Sequence, residues 1–78
     1  MIAATPPARP VFRGHRLRAA RIGRGLTQRQ VAERIGTIGR VTVTHWETGR
    51  RTPDAQDVGA LVNALNCEFD DLYEVMGT

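Results

Sequence analysis

Arginine is the residue type with the most chemistry to offer in this 78-residue chain. All eleven basic residues are arginine, and every one lies in residues 1–51. Only two acids, Glu33 and Glu47, share that stretch, whereas residues 52–78 hold six acids and no basic residue. A guanidinium cannot lose its charge near neutrality and presents a planar fork of donors suited to phosphates and to guanine edges. The choice of arginine over lysine is the kind of bias a GC-rich genome produces. The segregation of charge needs another reason, and a polyanionic partner, most often nucleic acid, supplies one.

Other chemistries fare worse. The chain has no serine, which excludes a Ser-His-Asp arrangement. Asp70 and Asp71 are adjacent, so on a helix they point apart and do not converge on a substrate. His15, His45 and Cys67 lack ligand spacing, and we expect no metal, no cofactor and no enzymatic activity. A single cysteine cannot form an internal disulfide and reads as a small apolar residue. No apolar run approaches a membrane span, and the N-terminal MIAATPPARP lacks the apolar core of a secretory signal. The expected compartment is a reduced cytoplasm, with no membrane partner.

These side chains must be held by short elements, because 78 residues allow one small domain. Residues 1–12, with Pro6, Pro7 and Pro10, read as a flexible arm. Residues 13–75 read as the domain and 76–78 as a tail. A first helix is expected over 13–24, with Leu17 and Ala20 inward. Thr27 is a natural N-cap for a second helix carrying Val31, Ala32 and Ile35, which Gly36 ends. The string VTVTHW alternates like a strand, but no second strand-like run exists to pair with it. The helical reading, about Arg40 to Glu47, instead puts Val43 and Trp46 on one face. Thr52 and Pro53 read as the cap and first position of a fourth helix over 53–65. Residues 68–75 read as a short fifth helix with Phe69 and Leu72 inward. The expected fold is therefore all-α, with five helices.

Two helices joined by a tight turn after a glycine have the geometry of a helix-turn-helix, whose second helix enters the major groove. With Val43 and Trp46 as anchors, Arg40, Val41, Thr42, Thr44 and His45 fall toward the open side or the helix entrance. Arginine can bond guanine, threonine a base edge or a thymine methyl, and valine only the methyl.

The ordered set Arg16-Leu17-Arg18, Gly25-Leu26-Thr27-Gln28, Val31-Ala32, Gly36, Trp46-Glu47, Gly49, Arg50-Arg51 and Pro53 resembles the Xre/Cro family of lambda repressor-like helix-turn-helix domains over about residues 13–73. The resemblance implies a sequence-specific transcriptional regulator of double-stranded DNA, a repressor, bound as a homodimer to a palindromic operator. It implies base contacts from Arg40, Val41, Thr42, Thr44 and His45, and phosphate contacts from Arg16, Thr27, Gln28, Arg50 and Arg51. Gln28 would also buttress the third helix. The connection from Gly36 to Trp46 is one residue longer than the family's usual one, so Thr37 and Gly39 both stand as caps for helix three. Phe69, Tyr73, Val75 and Met76 form a candidate dimer face, or else close a monomer core. A second function is an antitoxin or other protein-interaction module of the same fold, binding a protein partner with its acidic half and its own promoter with the other.

Overall fold

Four helices form where the apolar spacing puts them, and a small sheet joins the two ends of the domain. The computed structural model describes residues 9–76. In order the elements are strand β1 (Arg9–Phe12), helices α1 (Gly14–Gly23), α2 (Gln28–Ile35), α3 (Arg40–Glu47) and α4 (Ala55–Leu65), a 3₁₀ turn (Phe69–Asp71) and strand β2 (Tyr73–Met76). One buried side chain of α1, Leu17, meets Val31 and Ala32 of α2, Val43 and Trp46 of α3, Val58, Leu61 and Leu65 of α4, and Leu72 after the 3₁₀ turn.

The all-α, five-helix expectation is corrected in two places. Residues expected as a fifth helix are a single 3₁₀ turn followed by β2. Glu68 N–H bonds Asp71 at 2.9 Å, which closes a short acidic turn. Leu72 is buried as expected, but Phe69 is 53% exposed, not inward. The second place is the N-terminus, where Arg9–Phe12 pairs antiparallel with Tyr73–Met76. Of the arm expected over 1–12, residues 1–8 lie outside the described residues, and so do 77 and 78 of the expected tail. Neither strand was expected from the sequence, because each is four residues long, too short to show a period.

The helix boundaries follow local chemistry. Thr27 accepts from Gln30 N–H at 3.0 Å while the Gln30 side chain accepts from Thr27 N–H at 2.9 Å, a reciprocal capping box that starts α2. Gly36 ends it at φ +85°, a conformation that costs a residue with a Cβ about 1–2 kcal/mol. Helix α4 starts two residues later than expected. Asp54, not Thr52, is its N-cap, accepting from Asp57 N–H at 2.8 Å, and Pro53 is buried ahead of it. The last turn of α4 has no basic residue of its own. Arg24 supplies Leu65 and Asn66 carbonyls at 2.8 Å each, and Arg34 supplies that of Ala64 at 2.9 Å. Two arginines of the cationic stretch are thus used to finish a helix of the acidic one.

Candidate nucleic-acid interface

Helix α3 is the element on which the sequence reading depends, and it is helical over the expected residues, Arg40–Glu47. Gly39 is its N-cap, so of the two alternatives the residue without a side-chain oxygen holds the position. The helix therefore begins without a side-chain cap and owes its place to tertiary contacts. Val43 and Trp46 are buried in the core, and Ile38 in the preceding turn packs against it. At the other end Thr48 donates to Thr44 C=O at 2.8 Å, and Arg50 N–H closes back on His45 C=O at 2.9 Å. That bond, spanning Gly49 in the left-handed conformation, is a Schellman closure.

A polar network ties this helix to its neighbours. Arg21 of α1 grips the Glu47 carboxylate with two nitrogens, Nε to Oε2 at 2.6 Å and Nη2 to Oε1 at 3.2 Å. Only 13% of the Arg21 side chain and 3% of that of Glu47 are exposed. Arg21 Nη1 also donates to Leu26 C=O at 2.8 Å, fixing the connection between α1 and α2. Gln28, the first residue of α2, donates from Nε2 to Glu47 Oε1 at 3.1 Å and accepts from the Thr44 hydroxyl at 2.8 Å. Helices α1, α2 and α3 are thus fastened by one carboxylate and one amide. The resemblance implied Gln28 as a buttress for α3; Glu47 is the centre of the network.

The base-contact candidates divide by what they have left to offer. Arg40 is exposed and Val41 is 57% exposed. Thr42 and His45 are partly buried. Thr44 is also partly buried, and its hydroxyl proton is committed to Gln28, with Arg40 C=O the other acceptor at 3.1 Å. Its methyl group is what remains for a partner.

The phosphate candidates divide in the same way. Thr27 uses an oxygen lone pair on Gln30 N–H and keeps its own hydroxyl proton. Gln28 keeps one amide proton, and the backbone N–H groups of Gln28 and Arg29 lie in the first turn of α2, where no helical acceptor exists. That corner has the donors and the dipole for an anion. Arg50 and Arg51 are exposed in the loop after α3, each with its backbone N–H on His45 C=O. Arg16 Nε lies 3.7 Å from a carboxylate oxygen of Glu74 in β2, and its side chain is partly exposed. The sequence reading did not single out Arg29, which lines a groove of about 530 Å³ with Glu33, Gly36, Ile38, Gly39 and Arg40, between α2 and the start of α3. Its position directly after Gln28, in a helix's first turn, was the available signal.

The four candidate dimer-face residues are not equivalent. Phe69 and Val75 are exposed, while Tyr73 is half-buried with its ring edge-on to Phe12 at a centroid distance of 5.9 Å. Met76 is the last residue of β2. Cys67 packs against the core, and its thiol is pushed up from its ordinary pKa by burial, then by Asp71, against Arg24, with Glu68 adding to the rise. That makes it a poor nucleophile. Among the described residues no helix is long and apolar enough to cross a membrane.

The profile of the helix-turn-helix family matches residues 17–72. No curated protein matches the chain. Among solved structures, the restriction-modification controller protein C.AhdI from Aeromonas hydrophila is 34% identical, covers 76% of this chain and 84% of its own, and superposes with a TM-score of 0.71. The P22 c2 repressor, solved in complex with a synthetic operator, is 30% identical over 76% of this chain and 88% of its own, with a TM-score of 0.69. The clp gene regulator ClgR from C. glutamicum is 25% identical over 76% and 75%, with a TM-score of 0.70. The chain belongs to the Xre/lambda repressor-like helix-turn-helix family.

Proposed function

We propose that this protein is a cytoplasmic repressor that binds a palindromic operator and reads its major groove with α3. That it is a sequence-specific DNA-binding regulator follows from its family and neighbours. The observation that carries the residue assignment is the Glu47–Gln28–Thr44 network, which fixes α3 while leaving Arg40 and Val41 exposed. In this reading Arg40 and Thr42 bond base edges, Val41 and the Thr44 methyl meet thymine methyls, and His45 lies at the edge of the groove. Thr27, Gln28, Arg50 and Arg51 hold phosphates on either side, and Arg29 joins them. Arg16, paired with Glu74, is left out of that set.

The test is a mobility-shift titration against a site selected from random DNA, with scrambled DNA beside it. Arg40→Ala with Thr42→Ala should bring the selected site down toward the scrambled one, about 1–3 kcal/mol for each lost base contact. Arg50→Ala with Arg51→Ala should weaken both alike and flatten the salt dependence. An equal loss on both DNAs from both pairs would overturn the division.

One observation favours a second reading, the antitoxin or other protein-interaction module. Phe69 is exposed between Glu68 and Asp70, an aromatic anchor framed by acids and suited to a basic protein surface. Phe69→Ala should then abolish capture of a basic partner encoded beside the gene and leave DNA binding intact.

A further inference from the structure

Helix α3 carries two neighbouring side chains that have a methyl group to offer a partner and no free proton. Val41 is 57% exposed at the start of the helix. Thr44, one turn on, is its neighbour on the helix surface. The Thr44 hydroxyl donates to Gln28 Oε1 at 2.8 Å and has Arg40 C=O as its other acceptor at 3.1 Å. Gln28 is held in turn by the Glu47 carboxylate at 3.1 Å. A β-branched side chain pinned through its oxygen keeps one rotamer, so the place of the Thr44 methyl on α3 is fixed as well.

A pyrimidine shows two features in the major groove, the group at C4 and the group at C5. Thymine has an O4 acceptor and a C5-methyl, whereas cytosine has an N4 amino donor and a bare C5. 5-Methylcytosine joins cytosine's amino group to thymine's methyl. Preferring thymine to 5-methylcytosine takes a donor aimed at O4. Valine has none, and the one hydroxyl proton of Thr44 is held by Gln28. Preferring cytosine with or without its methyl takes a carboxylate aimed at the amino group. The one acid on α3 is Glu47, which is 3% exposed and bound by Arg21 and Gln28. The Val41–Thr44 surface therefore rewards a C5-methyl whichever pyrimidine carries it.

We propose that double-stranded DNA carrying 5-methylcytosine is a ligand of this protein, and that Val41 and Thr44 accept the modified base where they accept thymine. Methylation of a cytosine facing them then strengthens the site, because it adds an apolar contact without altering base pairing. The inference rests on the operator-binding reading, in which α3 lies in the major groove.

Titration of the full chain against altered duplexes tests it. In a site selected from random DNA, each thymine is replaced in turn by uracil, which removes the methyl and keeps the base pair. The position that loses most is then made cytosine or 5-methylcytosine, with guanine opposite. The methyl should strengthen binding about fourfold in both pairs, thymine over uracil and 5-methylcytosine over cytosine, the worth of one buried methylene. Val41→Ala should lose most of both ratios. Thr44→Ser keeps the hydroxyl for Gln28 and discards the methyl, so it should lower both ratios and remain folded by circular dichroism. Uracil without effect at every thymine, a thymine–uracil ratio with no counterpart for 5-methylcytosine over cytosine, or full ratios in both variants would each overturn the proposal. Scrambled DNA is measured beside the selected site. Equal affinity for the two refutes the regulator and the methyl reading with it, whereas a preference that survives every uracil refutes the methyl reading alone.

Discussion

Glu47 is the residue on which most depends. Its carboxylate is nearly inaccessible, and it accepts from both Arg21 and Gln28. Removing it leaves a guanidinium with little water and no counter-charge. Glu47→Ala should destabilise the domain by about 3–5 kcal/mol in denaturant unfolding, the usual cost of breaking a buried pair from one side. Gln28 and Thr44 would lose their fixed orientation in the same step. An unfolding midpoint within error of the unaltered chain would show that the pair contributes nothing. The sequence carried only half of this. Trp46-Glu47 stood out as a motif, but that Arg21 is the partner depends on where α1 crosses α3, which no spacing along the chain reveals.

At the scale of elements, the three helices that carry function were legible and the ends of the domain were not. Thr27, Gln30 and Gly36 mark α2 by local chemistry, so its bounds could be read directly. Helix α3 has β-branched residues that argue for a strand, and the need to bury Val43 and Trp46 together overrides them. Residues 68–75 failed because Leu72 and Tyr73 owe their conformation to Phe12 and Arg13, some sixty positions away in sequence. One glycine shows how tightly the ends are fitted to the middle. A Cβ on Gly14 would collide with the backbone carbonyl oxygens of Trp46 and Glu47, which cannot rotate aside. Gly14→Ala should cost about 1–3 kcal/mol and displace the end of α3 from α1. Thermal unfolding and operator affinity should therefore fall together. A fall in stability with full affinity in the folded fraction would show that α3 is seated independently of Gly14.

For the whole molecule, the count of arginines overstates the field that DNA would meet. Arg21, Arg24 and Arg34 are spent on Glu47 and on the end of α4, and Arg13 and Arg16 gather at Glu74. Among the described residues, the guanidiniums of Arg9, Arg18, Arg29, Arg40, Arg50 and Arg51 have no such engagement. If those alone replace counterions, log K against log salt should fall with a slope no steeper than about −5 per chain. A slope near −9 would mean that the internal arginines are recruited on binding. The overall polarity of charge was plain from composition. Which arginines were already occupied was not, because occupancy belongs to the folded surface and not to the sequence of charges.

The antiparallel pairing of Arg9–Phe12 with Tyr73–Met76 also makes the domain, topologically, a ring with a gap. Residues 9 and 76 face each other across the ribbon, so a short linker would close the polypeptide into a circle. The exposed turn at Thr48–Arg51 could then be cut to give new termini without separating any helix from its neighbours in the core.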